Sequence, residues 1–289
     1  MKIIFYFILL ISILLSSNIN NNLFKKAINK YKEKDIKSSL NTFLKIDENK
    51  TLLSTNTKFN LGIFYQYGIG TNKDLKKAFH YFFESAKLGN KFSQNQLGFF
   101  YQNGLTTPIN YDLAILWYKK AANQNLIIAQ FNLGYLYELL YSTNKSPKQF
   151  DYYKKAIYWY KKAANNGDTN AQINLALMYK EKNGVKFDLN TVLYWLQQSA
   201  KKNNVLAMNL LGDIYRKGRI TKQNFKIALY WYLKAADLNS PKAQFLIGKI
   251  LYEGLGIKKD IKQAKYWLLK AKKNNYKSAI SFIKRKKIE

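Results

Sequence analysis

Small and large apolar side chains return along this chain at an interval of 36 residues. The five tryptophans stand at 117, 159, 195, 231 and 267, and Tyr81 extends the row 36 residues upstream; a single interval, between 117 and 159, is 42. Three residues before each aromatic is a small side chain: Ala78, Ala114, Ala156, Val192, Ala228 and Ala264. Four and five residues after it come Ser85-Ala86, Ala121-Ala122, Ala163-Ala164, Ser199-Ala200, Ala235-Ala236 and Ala271-Lys272. Counted from the first small residue, offsets 0, 3, 7 and 8 form one stripe of a helix with 3.6 residues per turn. The pattern predicts one such helix, helix B, in each of six units.

Polar columns mark the ends of helix B. Seven residues before the aromatic stand Asp74, Asn110, Tyr152 (with Asp151 beside it), Asp188, Asn224 and Asp260. Side-chain oxygens of this kind accept a free N–H of the first turn. Eight residues after it stand Gly89, Asn125, Gly167, Asn203, Asn239 and Asn275. Glycine and asparagine tolerate the left-handed conformation that closes a helix.

A second helix, A, carries Leu61-Gly62, Leu97-Gly98, Leu133-Gly134, Leu175-Ala176, Leu211-Gly212 and Ile247-Gly248. Alanine recurs four residues earlier (129, 171, 207, 243), and tyrosine four later (65, 101, 137, 179, 215). Glycine costs a helix interior about 1 kcal/mol against alanine. Its return in five of six units predicts a place where two helix axes come too close for a β-carbon.

These columns resemble the Sel-one-like repeat, a relative of the tetratricopeptide repeat. Ala129 to Ala164 and Ala207 to Ala236 match its order of alanine, Leu-Gly, tyrosine, glycine-bearing turn, cap, and Trp-Tyr before a double alanine. The resemblance implies an all-α fold: a right-handed superhelical solenoid of antiparallel helix pairs, about six repeats plus degenerate ends. It also implies a non-catalytic scaffold for protein contacts. One cysteine-rich bacterial subfamily has been credited with β-lactam binding or hydrolysis. This chain has no cysteine, so that activity does not carry over.

The repeats are expected over 57–277, behind degenerate capping helices at 18–56 suggested by Ala27, Tyr31, Ser39 and Phe43, and ahead of a basic capping helix at 278–289. End units differ because nothing stacks on them. The third unit is six residues longer, around Ser142–Pro147 in its A–B turn. Residues 1–17 read as a secretory signal: Met1-Lys2, then Ile3 to Leu15 broken by Ser12 alone, then serines. That run is shorter than the roughly 17–25 residues of a membrane span; extended to Ile19 it would serve as an uncleaved anchor. An exported protein is expected, in a periplasm, a secretory lumen or outside the cell.

Composition narrows the chemistry. No cysteine and one histidine, His80, leave no thiol nucleophile, disulfide framework, histidine triad or multi-histidine metal cage. No cofactor and no enzyme activity are expected; a cell-wall or β-lactam-directed hydrolase is the disfavoured alternative. Gly68-Ile69-Gly70 and Gly254-Leu255-Gly256 lie in A–B turns with no strand before them, which speaks against a nucleotide loop. The formal net charge is +31. AT-rich codon usage would inflate lysine, yet it does not explain the scarcity of acids; drift and selection for anionic partners both stay open.

Two surfaces are singled out. Lys120, Lys162, Lys234 and Lys270 follow the aromatic column by three and predict a ridge on the outer helix-B face. Such a ridge is either solvated or in contact with an anionic lipid or glycan surface or an acidic protein; nucleic acid is not expected after export. On helix A, Phe59, Phe131 and Phe245 stand two before the leucine column, and Phe99 and Tyr135 two after it. These five are expected to adjoin the concave groove, where they either pack between neighbouring A helices or anchor a protein partner.

Overall fold

The computed structural model describes residues 22–48, 54–143, 149–180 and 187–288, and every regular element among them is helical. The expected signal lies outside these residues. Among them, no helix is long and apolar enough to cross a membrane.

The chain divides into two compact units, 1–144 and 145–289. In the first unit the helices are α1 (Asn22–Lys32), α2 (Ile36–Glu48), α3 (Ser54–Tyr67), α4 (Leu75–Lys87), α5 (Lys91–Asn103), α6 (Tyr111–Asn123) and α7 (Ile127–Thr143). In the second they are α8 (Gln149–Asn165), α9 (Thr169–Lys180), α10 (Leu189–Lys201), α11 (Val205–Lys217), α12 (Phe225–Asp237), α13 (Pro241–Glu253), α14 (Ile261–Lys273) and α15 (Lys277–Lys286). Within each unit every helix packs on the next, as short connections between antiparallel helices require. Each unit is thus a stack of successive helices, the all-α solenoid expected, with helices A and B of the third repeat, α7 and α8, assigned to different units.

The polar columns act as the spacing predicts. Asp74, Asn110, Asp188, Asn224 and Asp260 have extended backbones, and each accepts an N–H of the first turn of its B helix. All six residues of the glycine-or-asparagine column are left-handed, with φ from 55° at Asn275 to 92° at Gly89. The third repeat departs from the cap pattern. Helix α8 starts at Gln149, so Asp151 and Tyr152 are helical rather than capping, and Asp151 pairs with Lys155 at 2.6 Å.

The glycine on helix A also works differently from expectation. A β-carbon at Gly98 would lie 2.5 Å from the ring of Tyr118, and one at Gly62 2.5 Å from that of Phe82. At these two positions the obstruction is a side chain from helix B rather than its backbone. Gly212 seats Tyr232 in the same way; at Gly248 the Leu268 side chain at 2.7 Å and the Ala264 carbonyl oxygen at 3.1 Å both obstruct, so there the helix-B backbone also comes close. Phe82, Tyr118, Tyr232 and Leu268 follow the tryptophan column by one and are buried to within 1%. The tryptophans are shallower: Trp117, Trp159 and Trp195 are buried, whereas Trp231 and Trp267 are half-buried.

The first unit begins with the pair α1 and α2. Phe24, Phe43 and Phe64 pack edge to face at 5.5 and 5.8 Å, and Ser39 donates its hydroxyl to the Ala27 carbonyl at 2.8 Å. At the far end of the second unit, α15 buries Ala279, Phe282 and Ile283 and leaves Lys284, Arg285 and Lys286 in its last turn.

Candidate functional site

Helix A directs its alanine, leucine and tyrosine toward helix B, which leaves two rows on its other side. The row two before the leucine proves to be packing. Phe59 is buried against Phe82 and Phe92 at 6.0 and 5.8 Å, so it does not line an open groove. Phe245 is half-buried against Tyr276 and Phe282 at 5.6 and 5.9 Å, covered by the terminal helix α15. Phe131 is also half-buried. Asn95 and Asn209 in this row bridge neighbouring repeats: Asn132 Nδ2 donates to Asn95 Oδ1, and Asn209 Nδ2 to Ser240 Oγ, both at 3.0 Å.

The row two after the leucine is the open one. Phe99 on α5 is 40% exposed and Tyr135 on α7 is 47% exposed, and α5 and α7 touch directly. With half-buried Phe131 beside them, they give the first unit an aromatic strip on its helix-A face. Ile63, the first residue of the row, is buried. The extra turn expected to flank the strip lies outside the described residues from 144 to 147.

In the second unit the same row reads Leu177, Asp213 and Lys249, all half-buried. Asp213 is committed to structure. Its carboxylate accepts from Lys242 Nζ and Tyr232 Oη at 2.7 Å each and from Arg216 Nη2 at 3.2 Å. Burial pushes its pKa up, but the hydrogen bonds from Lys242 and Tyr232, the Lys242 charge and the Arg216 hydrogen bond outweigh that. The carboxyl is held below its ordinary value. Burial also drives the Tyr118 and Tyr232 hydroxyls upward, as expected for phenols enclosed beneath a helix.

The lysines of the outer face are not a free-standing ridge. Lys120 lies 4.4 Å from the ring centroid of Trp117, Lys162 5.1 Å from Trp159, Lys234 5.9 Å from Trp231 and Lys270 5.1 Å from Trp267. Each stem is laid along the helix and each ammonium sits over an aromatic face. His80 is exposed, with its ring edge on Tyr81. Among the described residues, no group of three or more His, Cys, Asp or Glu is placed to hold a metal ion.

One buried column escaped the apolar pattern. Gln94, Gln130 and Gln172, three before the leucine, donate to the carbonyls of Ala86, Ala122 and Ala164 at 3.2, 3.3 and 3.1 Å. Each satisfies an end carbonyl of the preceding helix B, which links consecutive repeats. The only trace in the sequence is the repetition of glutamine itself.

Comparison with known proteins agrees with this geometry. The Sel1 repeat pattern matches residues 58–90, 91–126, 127–168, 169–204, 205–240 and 241–276 in succession. A Sel1 repeat protein from Oxalobacter formigenes is similar in structure, with a TM-score of 0.67 and 29% identity over 87% of this chain and 97% of that one. So is c5321, described as a protective antigen of uropathogenic Escherichia coli with an SLR fold. Its TM-score is 0.66 at 28% identity, over 88% of this chain and 53% of that longer one. No curated protein matches the chain. With six consecutive matches over most of its length and each column seated as described, the chain belongs to the Sel1 repeat family, whose members are in general protein-interaction scaffolds.

Proposed function

We propose that this chain is an exported, non-catalytic scaffold that holds a protein partner on the helix-A face of its first unit. The observation that carries the reading is the exposure of Phe99 and Tyr135 on two helices in direct contact. The preceding row on the same helices is turned to packing, so these rings have no intramolecular task to explain their size. Aromatic side chains on a rigid support commonly anchor an interface. The general scaffold role of Sel1 repeats supports the reading. Export is supported by the basic, apolar and serine-bearing residues 1–17; the description of c5321 as a protective antigen is in keeping with it.

The test is to capture the partner from the native exported fraction, and then to titrate it by calorimetry against wild type, Phe99→Ser and Tyr135→Ser. Each substitution is expected to weaken binding about tenfold, equivalent to ~1.4 kcal/mol, without moving the thermal melt. Unchanged affinity in both folded variants would remove the groove assignment.

A further inference from the structure

In the second unit a tyrosine immediately precedes each tryptophan: Tyr158, Tyr194, Tyr230 and Tyr266. All four are between 51% and 54% exposed. Packing does not demand a half-exposed aromatic at the same place four times. Nor does composition, since tyrosine is 23 of 289 residues. The equivalent positions of the first unit hold His80 and Leu116.

The rings are held in place. Each stands edge to face on its tryptophan, with centroids 4.9–5.1 Å apart and planes at 76–85°. One helical turn later Lys162, Lys234 and Lys270 lie over the tyrosines at 5.0, 4.9 and 5.8 Å, with Gln198 in the remaining repeat. One turn earlier stand Lys154, Lys226 and Lys262, with Asn190 in that same repeat. Three of the four helices therefore present Lys-Tyr-Lys along one stripe. Helices α8, α10, α12 and α14 carry four, one, two and five lysines, with Asp151 and Asp237 as their only acids. Exposed aliphatic side chains, Ile227, Leu233 and Leu269, continue the patch beside Tyr230 and Tyr266.

We infer that this outer face docks an acidic, amphipathic segment of a partner polypeptide, at a site distinct from the groove of the first unit. The lysine stripes call for carboxylates. A surface ammonium over an aromatic ring is weakly held, so a carboxylate can draw it aside at small cost. The aliphatic side chains call for apolar contact, which an acidic polysaccharide does not supply. Nor does the phosphate backbone of a nucleic acid supply it. A bilayer engages side chains that stand clear of the surface, whereas Ile227, Leu233 and Leu269 lie along it at 36–40% exposure. Tyrosine suits a polypeptide because it gives a large amphipathic contact with few rotors to freeze.

The probe is a fluorescein-labelled, eighteen-residue helical peptide with glutamate on one face and leucine on the other, titrated by anisotropy against the full chain. Tyr158→Ser/Tyr194→Ser/Tyr230→Ser/Tyr266→Ser is expected to bind at least about tenfold more weakly. Lys162→Gln/Lys234→Gln/Lys270→Gln should show a comparable loss. Lys25→Gln/Lys76→Gln/Lys119→Gln, which removes the same charge from the first unit, should bind as wild type does. Should the fourfold variant melt early, Tyr230→Ser/Tyr266→Ser decides by the same comparison. Equal weakening by both lysine sets, with none from the tyrosines, would show attraction to net charge and overturn the site. Tyrosine-dependent binding that is tighter to phosphatidylglycerol vesicles, polygalacturonate or oligothymidylate would overturn the partner class. Loss in Phe99→Ser with none in the tyrosine variant would place the peptide in the groove instead and overturn the outer face.

Discussion

Gly98→Ala isolates the contact that seats helix B on helix A, seen also at Gly62, Gly212 and Gly248. The added carbon would lie 2.5 Å from Cδ1 and 2.7 Å from both Cε1 and Cγ of Tyr118. Contact at Cγ means that a swing of the ring tip gives no relief. The ring is buried at 1% exposure, and its hydroxyl donates to Gln102 at 2.9 Å, so both ends resist displacement. Overpacking of this kind costs about 1–3 kcal/mol. Alanine in place of glycine returns up to about 1 kcal/mol of helix propensity. The net expectation is a loss of about 1–2 kcal/mol.

The fourth repeat contains its own control, because Ala176 stands there in the glycine column and Leu196 in the ring column, both buried. Tyr118→Leu should therefore relieve the clash, and Gly98→Ala/Tyr118→Leu should be more stable than the sum of the single losses by about 1–2 kcal/mol. Urea titrations of all four proteins, followed by far-ultraviolet circular dichroism, give the coupling. Additivity within about 0.5 kcal/mol would refute the ring-on-glycine account.

Trp195→Ala should cost about 3–5 kcal/mol and the half-buried Trp267→Ala clearly less, which thermal melts will rank. Asn203 has φ 60°, so Asn203→Ala should cost about 1–2 kcal/mol in a urea titration while Asn203→Gly stays close to neutral. Asp213 has a folded pKa below its unfolded one, so its stabilisation is fully present above the ordinary carboxylate range and fades as pH falls through the folded value. Asp213→Asn should therefore be less stable than wild type by about 1–3 kcal/mol near neutrality, and the gap should close in urea titrations carried below pH 4. A gap that widens with acid would reverse the sign of that argument.

What could be read from the sequence was whatever a single helix dictates to itself. A cap aspartate needs only its own first turn, and a left-handed asparagine needs only its own φ, so Asp74 and Asn203 were legible from spacing. Asp151 was not, because helix α8 starts earlier than in the other repeats and takes in the residues that elsewhere lie before a cap. Contacts between helices were half legible. The tryptophan row gave the register, but the deeper residue is its neighbour, Tyr118 or Tyr232, and only the glycine seat shows that. Gln94 was missed because periodicity admits apolar residues to a core, whereas a buried amide is admitted by the carbonyl it satisfies. Phe59 and Phe99, assigned alike to the groove, differ because a neighbouring repeat covers one row and leaves the next open. The same ambiguity hides the outer face. In a solenoid every packing position repeats, and a binding position that repeats has the same 36-residue period. Tyr158 and Trp159 therefore look alike as columns. One is half in water and the other is buried, and that difference in exposure is what makes the tyrosine row a candidate for recognition rather than another layer of core.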